Sequence, residues 1–85
     1  MNNERQTDAK GNRYEDIGNI RLTYILSENR EESKNWSGKD VIRLQSYKNE
    51  NNKSLHQGAE IPIDNPSVII DIIESLIKIY KDKSL

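Results

Sequence analysis

Residues Asp64 to Lys81 read D-N-P-S-V-I-I-D-I-I-E-S-L-I-K-I-Y-K. Wound as a helix at about 100° per residue, Val68, Ile79, Ile72, Leu76, Ile69, Tyr80, Ile73, Ile77 and Ile70 fall on an arc of roughly 200°. Asp71, Glu74, Ser75, Lys78 and Lys81 occupy the remainder. The start is well marked. Asp64 or Asn65 can accept exposed backbone N–H groups as N-cap, and Pro66 suits the first helical position, where its missing N–H has no partner anyway. Lys78, Lys81 and Lys83 complement the dipole at the other end. A helix resting on one sheet needs an apolar stripe only a little over about 100° wide. This arc therefore has a second surface to cover, and a second copy of the same helix is the expected cover. Ile69, Ile70, Ile73, Leu76, Ile77 and Tyr80 are its expected contact residues. The working unit is then a homodimer that leaves its sheets free.

Upstream of the helix the hydrophobic period changes from that of a helix to that of strands. From Asn19 to Leu26, Ile20, Leu22 and Tyr24 alternate with Arg21, Thr23 and Ile25, which predicts a half-buried strand. From Val41 to Lys48, Ile42 and Leu44 alternate with Val41, Arg43, Gln45 and Tyr47, which predicts a second. Between them Ser27 to Lys39 is a long polar connection holding Glu31-Glu32 and the chain's only Trp. Asn49 to Ser54 is a turn rich in Asn and Lys. Ile61 and Ile63 bracket Pro62, which cannot donate to a ladder and so marks an edge strand or a strand end. Met1 to Asp16 has no apolar period and is expected as a flexible polar tail. The organisation is thus a tail over residues 1–16 and one domain over 17–85. The fold class is α+β: a curved antiparallel sheet of about four strands, followed by one amphipathic helix that dimerises.

Composition narrows the functions available. With 85 residues, 33% of them hydrophobic and no Phe, one small core is all the chain can build. The formal charge is −1, which neither announces nor excludes a nucleic-acid partner. Residues 17–59 carry seven Lys/Arg against five Asp/Glu, and residues 60–85 carry three against five, so the slight basic excess falls in the sheet. The absence of Cys removes disulfides and thiolate metal sites. No stretch approaches a membrane span, and the greasy helix is broken by Asp71, Glu74 and Lys78. A cytoplasmic, nucleoid-associated setting fits these features.

Catalysis needs a positioned nucleophile, base or metal. His56 stands alone, with no second His or Cys to complete a metal site. Glu31-Glu32 reads as a solvated pair in a polar loop. No catalytic residue, metal or cofactor is expected, and the chain reads as a binding protein.

If Ile20, Leu22, Tyr24, Ile42 and Leu44 pack under the helix, the opposite sheet face presents Arg21, Thr23, Arg43, Gln45 and Tyr47. Tyr24 is then the awkward member, since its hydroxyl must reach an edge or, if buried, find a partner. Lys34, Trp36, Lys39, Lys48 and Lys53 border the outer face in loops. Lys and Arg neutralise phosphates and aromatic rings stack unpaired bases, the combination that single-stranded nucleic acid asks for. The outward face of any antiparallel sheet is also polar, and Arg and Tyr are ordinary strand residues.

The order of segments resembles the PC4-like family of transcriptional coactivators and their prokaryotic and phage relatives. The resemblance rests on I-G-N-I-R-L in the first strand, V-I-R-L-Q-S-Y in the second, L-H-Q-G-A-E-I-P-I after the turn, and the capped amphipathic helix. It covers residues 17 to about 80. It implies a curved sheet of about four strands backed by a helix, dimers formed by paired helices, and paired sheets that bind single-stranded DNA. It also implies that the family's strand arginine falls near Arg43 and its strand-end aromatic near Tyr47, with Lys34, Trp36 and Lys39 at the hairpin positions. The segment that is usually basic in that family reads His56-Gln57-Gly58-Ala59-Glu60 here.

Two functions follow from these readings. One is a sequence-tolerant dimer binding single-stranded nucleic acid, DNA before RNA, in transcription, replication or recombination. The other is a protein-interaction module that docks a partner through its C-terminal helix or a sheet edge.

Overall fold

The computed structural model describes residues 6–33, 35–49, 51 and 54–83. It has the expected α+β architecture. Strands β1 (Arg13–Ile17), β2 (Ile20–Ile25), β3 (Asp40–Ser46) and β4 (Ala59–Ile63) form one antiparallel sheet in the order β1-β2-β3-β4. Helix α1 (Ser67–Asp82) follows. The sheet is a simple meander, so every strand pairs with its neighbour in sequence. Pro62 lies in edge strand β4, where its missing N–H costs the ladder least.

The first strand corrects the expected tail. Arg13 to Asp16 were assigned to it, yet they pair with β2 from Arg13↔Tyr24 to Asp16↔Arg21. The turn explains why. Gly18 and Asn19 alone connect β1 to β2, and Gly18 takes φ +58 while Asn19 stays out of the left-handed region. A positive φ at the first central residue only is the mark of the type II′ turn, whose twist matches that of the flanking strands. Residues 6–12 are tied down too. The Tyr14 N–H donates to the Gln6 carbonyl at 3.0 Å. Asp8 Oδ1 accepts from the Lys10 and Asn12 N–H groups at 2.9 and 2.8 Å. Asn12 is buried, and its Oδ1 accepts from the Leu26 N–H and from Asn29 Nδ2, each at 3.0 Å.

Pairing register settles the two faces. Arg21 lies opposite Gln45, Thr23 opposite Arg43 and Ile25 opposite Val41; Leu22 opposes Leu44 and Tyr24 opposes Ile42. One face therefore carries Tyr14, Asp16, Arg21, Thr23, Arg43, Gln45 and Glu60. The other carries Ile17, Ile20, Leu22, Leu44 and Ile61. The polar face is not open along its whole length. Ile25, Val41 and Thr23 belong to it by register and are buried, near the end of the sheet that Asn12 ties to Leu26. Thr23 is thus a core residue, not an outward one. Tyr24 finds its partner in Asp40 Oδ2 at 2.7 Å.

The helix departs most from expectation. It contains no buried residue. Val68, Ile69 and Ile72 are half-buried, and every residue from Ile73 to Lys83 is exposed. Ile20, Leu44 and Ile61 on the apolar sheet face are exposed as well, while Ile42 and Ile63 on that face are buried, so Ile20 and Leu44, expected beneath the helix, are left uncovered. Only its first turns lie near the sheet, because three residues separate it from the edge strand β4 and the rest of its length runs clear. Its entry follows the expected chemistry: Asn65 Oδ1 accepts the Ser67 N–H at 3.0 Å, and Pro66 already has helical backbone at φ −53.

Asn12→Ala tests the ordering of the N-terminal segment. Loss of the acceptor for the Leu26 N–H should cost about 2 kcal/mol in denaturant unfolding. A change within about 0.5 kcal/mol, the size of an ordinary surface substitution, would mean that residues 6–12 are a tail after all.

Candidate nucleic-acid interface

Two clusters occupy the polar face. In the first, the β1–β2 register brings Asp16 beside Arg21 and Tyr14 alongside. The Arg21 guanidinium lies 3.8 Å from the centroid of the Tyr14 ring. Its Nε donates to Asp16 Oδ1 at 2.8 Å, and its Nη2 donates to Asp16 Oδ2 at 3.1 Å and to Tyr47 Oη at 2.8 Å. The Tyr47 hydroxyl in turn donates to Asp16 Oδ2 at 3.1 Å. Asp16 thereby holds the guanidinium against the Tyr14 ring and 5.6 Å from the centroid of the Tyr47 ring, a grouping of cation and aromatic rings of the kind on which a base can stack. Tyr47 is held there by backbone contacts past the end of β3: its N–H donates to the Asn19 carbonyl, and it bridges to Leu55.

The second cluster centres on Glu60 in β4. Its carboxylate takes Nη1 and Nη2 of Arg30 and, at 2.8 Å, Nε and Nη2 of Arg43. Arg30 also donates Nε and Nη2 to the Asn35 carbonyl at 2.9 and 2.7 Å, and only 4% of its side chain is exposed. Arg30 thus pins the long β2–β3 connection to the edge strand. The Arg30 hydrogen bonds hold the Glu60 carboxyl below the usual range, with Arg43 adding to the effect and burial opposing it. Asp40 is also lowered, chiefly by the Tyr24 hydroxyl and the Ser27 N–H.

Beside the second cluster, between it, the β2–β3 connection and residues 8–12, lies a cleft of about 870 Å³, lined by Asn12, Arg30, Trp36, Arg43, Gln45 and Glu60 among others. Trp36 is 45% exposed at φ +63, the left-handed region that a bulky side chain rarely adopts. Such strain persists only where surrounding structure imposes it, and it gathers at binding sites. Gly58 lets the chain pass close to β3. A Cβ there would lie 1.7 Å from the Leu44 carbonyl oxygen.

The expected site residues therefore separate. Arg21, Arg43, Gln45 and Tyr47 share the polar face, and Trp36 borders it. Lys39 is drawn away to Asp64 at 2.7 Å. Lys48 is exposed just past β3. Lys34 and Lys53 lie outside the described residues. Of the cations expected to be open to phosphate, Arg21, Arg43 and Lys39 each face a carboxylate. Tyr14, Asp16, Arg30 and Glu60 join the site without having been anticipated. The Gly18-Asn19 turn was the available signal for Tyr14 and Asp16, since a two-residue hairpin sets them opposite Thr23 and Arg21. Arg30 had none. Among the described residues no group of His, Cys, Asp and Glu could hold a metal ion, and no helix is long and apolar enough to cross a membrane. Comparison with known proteins returns nothing: no family model, no curated protein and no solved structure matches the chain.

The lowered carboxyls set the pH dependence of stability. Groups whose folded pKa is depressed stabilise fully above their unfolded value and lose that contribution as pH falls through the folded one. The unfolding midpoint in denaturant should hold from pH 7 to about 5 and fall below about pH 4. Asp40→Asn should lower the plateau and flatten part of the fall. A midpoint independent of pH down to about 3 would contradict the pairing of Asp40 and Glu60 described above.

Proposed function

We propose that the chain acts as a helix-paired homodimer that binds single-stranded nucleic acid, DNA before RNA, on its polar sheet face. The binding is sequence-tolerant and has no catalytic step, and it serves transcription, replication or recombination in the cytoplasm. The observation that carries this reading is the Tyr14–Arg21–Tyr47 platform with exposed Trp36 bordering the same face. The resemblance to PC4-like coactivators supports it.

The ion pairs refine the expected energetics. A cation already bound to a carboxylate releases few counterions when a phosphate arrives. Affinity must then come mainly from stacking, which contributes about 1–3 kcal/mol per base and is indifferent to sequence. Titrating an unlabelled oligo-dT should quench Trp36 fluorescence at about 50 mM salt. Affinity should drop less than about tenfold on going to about 200 mM, the change expected for no more than two phosphate contacts. Absence of binding at the lower salt would overturn the proposal.

A second reading, a protein-interaction module, is favoured by the same exposed helix. An exposed apolar face from Ile70 to Tyr80 can receive a partner's helix as well as its own copy. Ile73→Asp separates the cases. Ile73 is half-exposed in one chain, so the substitution should barely alter a monomer. In a helix-paired dimer it places an unpaired charge in an apolar contact and should halve the solution mass. A variant of unchanged mass and stability would remove Ile73 from any self-contact.

A further inference from the structure

Arg30 and Arg43 converge on one carboxylate, sharing its Oε2, although they come from different elements. Two guanidinium charges against one carboxylate leave a net charge of +1 at that point. The two like charges repel, and an anion between them relieves that repulsion. The anion present belongs to the chain itself. Glu60 sits on an edge strand, and its side chain is 23% exposed, as against 4% for Arg30. Arg30 is tied a second time, to the Asn35 carbonyl. Arg30 is therefore the fixed part of the cluster, while Glu60 and the Arg43 side chain, 33% exposed, lie nearer the surface and can move. The cleft that Trp36 borders opens on the same three residues. A phosphodiester matches what Glu60 supplies: one negative charge and oxygens able to take a guanidinium fork in pairs.

We propose that Glu60 is a built-in competitor, occupying between Arg30 and Arg43 the position of a strand phosphate and yielding it when single-stranded nucleic acid binds. The proposal rests on the nucleic-acid reading above. It explains how a face with balanced charge can still engage phosphate, and it assigns to Glu60 the setting of affinity. Weak strands and stray anions are turned away. A strand whose bases also stack on Trp36 or on the Tyr14–Arg21–Tyr47 platform gains enough to displace the carboxylate.

The test compares the full chain with its Glu60→Gln variant, titrating oligo-dT at several salt concentrations and following Trp36 fluorescence. Removing the competing charge should raise affinity roughly fivefold to tenfold at about 50 mM salt. It should also steepen the logarithmic salt slope by about 0.7, the value for one further phosphate contact on a single strand. A variant that binds with the affinity and slope of the unaltered chain overturns the proposal and leaves the nucleic-acid reading standing. Failure of both proteins to bind overturns both. Should the variant not fold, the unaltered chain still decides through the 13C resonance of the Glu60 carboxyl carbon. That resonance should move toward its solvent-exposed position at saturating oligo-dT, and not with inorganic phosphate at matched ionic strength. A resonance that stays fixed while Trp36 reports binding, or that moves equally with phosphate alone, sinks the idea.

Discussion

The uncovered face of the C-terminal helix governs the rest of this molecule. Burying a large aliphatic side chain is worth about 1.5–3 kcal/mol, and Ile70, Ile73, Leu76, Ile77, Ile79 and Tyr80 all remain exposed in the single chain. The core that the chain builds alone is small: Ile25, Val41, Ile42 and Ile63, with Asn12 and Thr23. So large an apolar surface beside so small a core is the pattern of an interaction surface. The apolar sheet face shares the feature, because Ile17, Ile20, Leu44 and Ile61 also stay exposed. The proposed pairing through the helix would leave the opposite, polar face as the surface free to act.

That polar face owes its character to register. Once Asp16 lies opposite Arg21 and Glu60 opposite Arg43, each strand arginine meets a carboxylate across a strand boundary. Cross-strand charge pairs on a sheet each contribute a modest stabilisation. Here they have a second consequence. They hold guanidinium groups flat and in place, at the cost of their freedom to greet a phosphate. The face becomes rigid, aromatic and nearly neutral, which suits stacking more than electrostatic capture.

How much of this could be read from the residues depended on the range of the interaction. The helix and strands β2 and β3 were legible because their hydrophobic periods are local and strong. The residues that share each face of β2 and β3 followed from the same alternation. Strand β1 was not legible from pattern, since R-Y-E-D-I carries one apolar residue and looks like tail. Only the Gly18-Asn19 turn betrayed it. The burial of Thr23, Ile25 and Val41 was hidden too, because alternation assigns them to the polar face and says nothing of what folds over that end of it. The carboxylate partners of Arg21 and Arg43 required a register that single strands do not reveal. The reach of Arg30 to Glu60, and the left-handed backbone of Trp36, are products of the folded loop and leave no local trace. The helix was misjudged in one respect. Its period shows the wide apolar arc, but not that only Val68, Ile69 and Ile72 of that arc are half-buried in the single chain.

The most direct measurement is the solution mass of the full chain by sedimentation equilibrium across a range of concentrations, with far-UV circular dichroism on the same samples. The account predicts a folded species of twice the chain mass that persists on dilution into the low micromolar range. A stably folded species with the mass of one chain would contradict it, because the apolar face of the helix would then be at rest in water.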